Sequence, residues 1–194
     1  IMKKRVVREL TERIKFLEQV VSDKNLSISI SNTVHSCIKS LESGGKIIFF
    51  GNGGSASDSE HLSAELVGRM NYDRGPLKSI ALSSNVACIT AIANDYTYEE
   101  IFTRQLEAIG RKEDCLIAIS TSGKSINIID TVKKANSLDM TTICFTGQQG
   151  KALAKLCQHS IILPSQKTPL IQEGYMAMGH ILCSLIEEHF FPKN

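Results

Sequence analysis

Between about residues 46 and 163, short apolar runs alternate with stretches of helical length. The runs are KIIFF, SIALS, CLIAIST, TTICFTG and SIILP, and several are apolar almost throughout. That pattern predicts strands buried on both faces, joined by helical crossovers, and therefore a parallel sheet. Crossovers are right-handed, so helices must cover both faces. The expected fold class is α/β, a three-layer α/β/α sandwich with a five-stranded parallel sheet in the flavodoxin-like order 2-1-3-4-5.

Ahead of the sheet, Val6, Val7, Leu10, Ile14, Leu17, Val20 and Val21 recur at helical spacing, and a second helical segment ends at Gly44-Gly45, a C-cap signal. An N-terminal helical hairpin over about 2–45 follows. Its apolar face has no strand partner and must pack on the core, on another subunit, or on both. After the last strand, Thr168 as N-cap and Pro169 at the first helical position open a C-terminal helix reaching about residue 190. The expectation is one domain, 2–194, with its α/β core at about 46–163.

Composition narrows the class without pointing to chemistry. The 194 residues are 42% hydrophobic and 22% charged, with a formal charge of +2, as in ordinary soluble chains. Lys and Arg are interspersed with Asp and Glu, so there is no basic stripe for nucleic acid. No run has the length of a membrane span, and the start lacks the apolar stretch of a secretory signal; the expected location is cytoplasmic. The six cysteines contain no CxxC pair and most lie in apolar segments, which reads as buried, reduced thiols.

Two loops carry candidate chemistry. After the first strand, Gly51, Gly53 and Ala56 satisfy G-x-G-x-x-G/A, but no carboxylate ends the second strand, where a dinucleotide fold needs one for the ribose. No GK[ST] completes a Walker loop either. After the third strand, ISTSGKS places Ser120, Thr121, Ser122 and Ser125 before a helix, more hydroxyls than capping requires. Hydroxyls and free N–H groups at a helix N-terminus make an anion site. In the order 2-1-3-4-5 both loops flank the crevice at the switch point and can face one phosphorylated ligand.

His61 and Glu65 are four apart on the helix opened by the glycine loop, so they share a face. Gln172 and His180 share a broad face of the C-terminal helix. Each pair alone also fits an ordinary helix. If the two helices meet, their two imidazoles, carboxylate and amide oxygen suit Zn²⁺ or a similar divalent ion. Gly174 and Gly179 inside the same helix suggest close approach of another backbone or a ligand. Asn94-Asp95 can bind sugar hydroxyls or simply end a helix.

Taken together, GNGGSASD, HLSAELVGR, AIAND, ISTSGKS, FTG and IQE followed by His180 resemble the sugar isomerase (SIS) family, and within it the phosphoheptose isomerases, over nearly the whole chain. The resemblance implies conversion of sedoheptulose 7-phosphate to D-glycero-D-manno-heptose 7-phosphate, a precursor for lipopolysaccharide or capsule. It implies substrate contacts by Asn52, Gly53, Gly54, Ser55, Glu65, Arg69, Asn94, Asp95, Ser120, Thr121, Ser122, Ser125 and Gln172. It implies one Zn²⁺ per subunit held by His61, Glu65, Gln172 and His180, with Glu65 and His180 as the acid/base pair, in a homotetramer. Lys124, Leu170 and Tyr175 depart from the family pattern. The alternatives are a non-catalytic phosphosugar-sensing or replication-initiation regulator of the same fold, and an isomerase of another sugar phosphate.

Overall fold

A computed structural model describes residues 1–193; Asn194, the last residue of the expected 2–194 domain, lies outside the described residues. Five strands form one parallel sheet in the order β2-β1-β3-β4-β5, as the run pattern predicts. They are β1 (Ile47–Gly51), β2 (Ser79–Ala81), β3 (Cys115–Ile119), β4 (Thr141–Gly147) and β5 (His159–Leu163). Alternate residues feed two cores. Ile47, Phe49, Ile117 and Phe145 face one side, and Ile48, Phe50, Leu116 and Cys144 face the other. Two covered faces explain why the strands read as unbroken apolar runs.

The first face is covered by α1 (Met2–Ser22), α2 (Lys24–Glu42), α3 (Gly54–Val67) and α8 (Thr168–Phe190). The second is covered by α4 (Val86–Asp95), α5 (Thr103–Ile109), α6 (Ile126–Ser137) and α7 (Lys151–Ala154). The crossover from β4 to β5 is shorter than the expected helix. A 3₁₀ turn, Gln148–Gly150, and the four-residue α7 replace it. Gly150 sits directly against the Thr146 side chain, leaving no room for a larger residue there.

The N-terminal helices are present, but a single residue joins them. Asp23 leaves the helical region, and its Oδ1 accepts hydrogen bonds from the Asn25 and Leu26 N–H groups at 2.9 and 3.1 Å, which caps α2. Gly44 adopts φ +84° and Gly45 N–H donates to Ser40 O, closing α2 at the expected glycines. Of α1, only Phe16 and Val20 are buried; Val6, Val7, Leu10, Ile14, Leu17 and Val21 are exposed. At α8 the boundary shifts by one residue. Lys167 precedes the helix, Thr168 is already helical, and no side chain caps it. Cys37, Cys115, Cys144 and Cys183 are buried, Cys88 and Cys157 are partly exposed, and all six are free thiols. Among the described residues no helix is long and apolar enough to cross a membrane.

The helix that follows β1 and the last helix pack against each other along their length. Gly179 permits this, since a Cβ there would come within 2.6 Å of both methyl carbons of Leu62. Beyond α3 the chain turns back, and the seam ends in a buried ion pair. Arg74 Nε lies 3.1 Å from Glu187 Oε1, with side chains 2% and 0% exposed. All three nitrogens of that guanidinium donate: beside the Nε contact, Nη1 donates to the carbonyls of Leu66, Gly68 and Gly75, and Nη2 donates to Glu65 O. A cation on the last carbonyls of α3 also meets the negative end of its dipole. Glu187 accepts from the N–H groups of Met70 and Asn71 at 2.9 and 2.8 Å. Burial alone would push its carboxyl up, but those two N–H groups and Arg74 outweigh it and hold the carboxyl below its ordinary value.

Removing one member of a buried pair strands the other, at a cost of about 3–5 kcal/mol. Glu187→Gln is therefore expected to lose about that much stability in urea unfolding at pH 7. Because the folded-state value is depressed, the stability Glu187 gives is present above its unfolded value and lost as pH falls through the folded one. The gap between wild type and Glu187→Gln should accordingly narrow in acid; a gap that is small at pH 7, or that widens on acidification, contradicts this account.

Candidate active site

The register pairs Gly51 of β1 with Ile119 of β3, so the loops that leave these strands start side by side at the carboxyl edge of the sheet. This is the expected switch point. In the first loop Gly53 takes φ +58°, a conformation that favours glycine, and Gly54 opens α3. A Cβ on Gly54 would come within 2.7 Å of Gln172 Nε2, which brings the start of α3 up to the start of α8.

Asn52 is tied to the second loop's helix by a reciprocal amide pair. Its Nδ2 donates to Asn127 Oδ1 and the Asn127 Nδ2 donates back to Asn52 Oδ1, both at 2.9 Å. Tyr98 Oη donates to the same Asn52 oxygen at 3.1 Å. Neither partner is evident from sequence, because Asn127 lies within α6 and Tyr98 in a 3₁₀ turn.

In the second loop Ser120 is buried, and its Oγ accepts from Gly123 N–H at 3.1 Å. Gly123 has φ +63° and packs on Gly150. Ser122 Oγ accepts from Lys124 N–H at 3.3 Å, while Thr121 and Ser122 are partly exposed. Ser125 is the N-cap residue of α6 but its hydroxyl makes no capping bond. The first-turn N–H groups of that helix thus keep their donors for a ligand.

The two helices do meet where the reading required it. His61 Nε2 lies 2.9 Å from His180 Nε2 and 3.2 Å from Glu65 Oε1. The ligand atoms of His61, Glu65 and His180 all lie within 4.8 Å of one another. Three lone-pair-bearing atoms converge on one point, a donor set of the borderline kind that Zn²⁺ takes. These residues fit the ion. Gln172 is placed elsewhere on the seam: it lies eight residues before His180, about 12 Å of helix rise, against Gly54 and beside the Tyr175 phenol.

Asn94 and Asp95 end α4, exposed, with Asn94 Nδ2 donating to Asp95 Oδ1 at 2.8 Å. Arg69 is exposed just past the C-cap of α3. Leu170, one of the departures, is buried in the core under α8. Lys124 is exposed on the hydroxyl loop.

Tyr175 carries the feature that residue patterns alone did not suggest. It is fully buried, and its hydroxyl lies 2.7 Å from Ser55 Oγ. Burial, with the Asp58 charge adding to it, pushes the phenol up to about 12, against the opposing pull of Ser55 and Gln172. Burial likewise raises the Asp58 carboxyl, opposed by Tyr175 and by His61. Asp58, one turn before His61, sits inside GNGGSASD without any periodic mark of its own.

Comparison with known proteins agrees with this geometry. Residues 10–147 match the SIS domain family. A phosphoheptose isomerase of Helicobacter pylori is 48% identical over 171 residues, covering 88% of this chain and 89% of its own. One from Burkholderia pseudomallei is 40% identical over 188 residues, covering 97% and 95%. Among solved structures, a phosphoheptose isomerase from Francisella tularensis superposes with a TM-score of 0.91 at 31% identity over 97% of this chain and 99% of that one. That from Neisseria gonorrhoeae gives 0.89 at 34% identity over 97% and 100%. The chain belongs to the SIS domain family, in the group of the phosphoheptose isomerases, and is a sugar-phosphate isomerase.

Proposed function

We propose that the chain interconverts sedoheptulose 7-phosphate and D-glycero-D-manno-heptose 7-phosphate. The observation that carries this reading is the meeting of Glu65 and His180 across the α3–α8 seam, in a fold that also carries a hydroxyl loop at the free N-terminus of α6. The relatives named above, all phosphoheptose isomerases, point to the seven-carbon substrate. A regulator of the same fold would need the phosphate loop but not an acid/base pair, and here the pair is present. The heptose phosphate would serve as a precursor for lipopolysaccharide or capsule.

In this mechanism Ser120, Thr121, Ser122 and Ser125, with the first N–H groups of α6, hold the phosphate. Asn52, Gly53, Gly54, Ser55, Asn94, Asp95 and Gln172 line the sugar, with Arg69 at the margin. Glu65 takes the proton from C1 while His180 protonates O2, giving a neutral enediol. Return of the carbon-bound proton to C2 and loss of the O1 proton to His180 complete the aldose. No atom is gained or lost. Placement of acid and base on separate, packed helices fixes their separation before substrate arrives. A Zn²⁺ ion held by His61, Glu65 and His180 would polarise the carbonyl when bound.

Glu65→Gln and His180→Gln are each expected to lower kcat on sedoheptulose 7-phosphate by at least about 10²-fold, the scale of a lost general acid or base, while the circular dichroism spectrum stays native. Near wild-type turnover in either variant removes that residue from the pair. Chelator-treated protein should lose activity and recover it with added Zn²⁺; full activity in protein shown metal-free by elemental analysis removes the ion. The uncovered apolar stripe of α1, from Val6 to Val21, supports a homotetramer. Light scattering should give four times the 21.3 kDa chain mass, and replacing Leu10 and Ile14 with Glu should dissociate it; a monomeric wild type sinks the assembly.

A further inference from the structure

We infer that Tyr98 is a positioning residue of the sugar site, which holds the Asn52 amide so that it presents one N–H donor, and no acceptor, to a sugar oxygen; the inference rests on the isomerase reading above. A primary amide has two N–H donors and an oxygen with two lone pairs. In Asn52 three of these four are committed. One N–H goes to Asn127 Oδ1, and one lone pair takes the Asn127 N–H, both at 2.9 Å. The second lone pair takes the Tyr98 hydroxyl at 3.1 Å. What remains is the other N–H of Nδ2. Asn52 is the partly exposed member of the amide pair, and Asn127 is buried, so the uncommitted donor belongs to the residue that a ligand can reach.

The Tyr98 side chain is exposed, so filling the core does not account for it. It stands in the 3₁₀ turn after α4, three residues beyond Asp95. Its hydroxyl therefore ties the Asn94-Asp95 end of α4 to the glycine loop. Asn127, in the first turn of α6, ties in the segment behind the hydroxyl loop. Three segments that line the ligand thus converge on one amide. Without the Tyr98 hydroxyl, the Asn52 oxygen regains a free lone pair, the end of α4 is released from the glycine loop, and the N–H is aimed less well. Glu65 and His180 are carried by α3 and α8, which meet along their own seam and make no use of Tyr98. Sugar binding and proton transfer are therefore separable at this residue.

A binding contact made equally in ground and transition states shows its loss in KM and not in kcat. Tyr98→Phe keeps the exposed ring and removes only the hydroxyl. It is expected to raise KM for sedoheptulose 7-phosphate roughly three- to tenfold, the worth of one hydrogen bond, with kcat changed by less than about twofold. Its melting temperature should match the wild type. Asn52→Ala should raise KM at least as much, and the double variant should be no worse than Asn52→Ala alone, since the hydroxyl acts through that amide. Asn52→Asp, which keeps the size but puts an oxygen in place of the N–H, should bind the sugar phosphate no better than Asn52→Ala. An unchanged KM in Tyr98→Phe, or a fall in its kcat without a rise in KM, overturns the inference. So does a further loss in the double variant, which would mean that Tyr98 touches the substrate itself, or a wild-type KM in Asn52→Asp. A wild type without turnover would defeat the isomerase reading instead. Dissociation constants for the same sugar phosphate in these variants would then decide the role of Tyr98 in the same sense.

Discussion

Everything at the site depends on how closely α3 and α8 approach. The two helices are far apart in sequence, share no hydrogen-bond ladder, and are held by side-chain shape, by the His61–His180 contact midway and by the polar links at their ends. Gly54 and Gly179 remove the side chains that would keep them apart. Leu62 fills the space over Gly179, and Cys183 Sγ rests against Leu62 O at 3.7 Å. The Ser55–Tyr175 bond fastens one end of the seam, and the Arg74–Glu187 pair fastens the other. His61, Glu65 and His180 lie between these two clamps. A glycine inside a helix costs about 1 kcal/mol relative to alanine, and the close seam is what that cost supports.

The sheet supplies the second constraint. Because β1 and β3 are adjacent while the chain departs from them on opposite faces, α3 brings its side chains from one layer and α6 brings its N-terminus from the other. Proton-transfer groups and anion-binding groups are therefore carried by different layers. Each can be held rigidly by its own core, one built on Phe49 and Phe145, the other on Phe50 and Leu116.

How much of this was legible depended on how each feature writes itself into the chain. Strands buried on both faces leave continuous apolar runs, so KIIFF and TTICFTG announced themselves, and their order followed from the crossover rules. His61 and Glu65 share a turn, so local spacing exposed them; His180 joined them only through a guess that two helices meet. Arg74 and Glu187 left no such mark, since each looks like any surface charge until 113 residues of intervening chain are folded. Asn127 and Asp58 were hidden for the same reason, as polar residues inside helical patterns whose partners are remote. Thr168 misled by one residue, because helix ends depend on backbone detail that composition does not specify. The α1 stripe is apolar on its face in the sequence, but periodicity says which residues want cover and not what covers them.

The Asn52–Asn127 amide pair has a consequence for binding. It joins the glycine loop to the helix behind the hydroxyl loop, with Tyr98 adding a third anchor. Both halves of the cradle are therefore ordered while the cleft is still filled with water. The loss of backbone freedom that a flexible loop would suffer on capturing its ligand has already been incurred during folding, where the hydrophobic cores offset it. A sugar phosphate entering such a cleft has mainly its own freedom and its hydration to give up, and the encounter resembles docking onto a finished surface more than the closing of a hand.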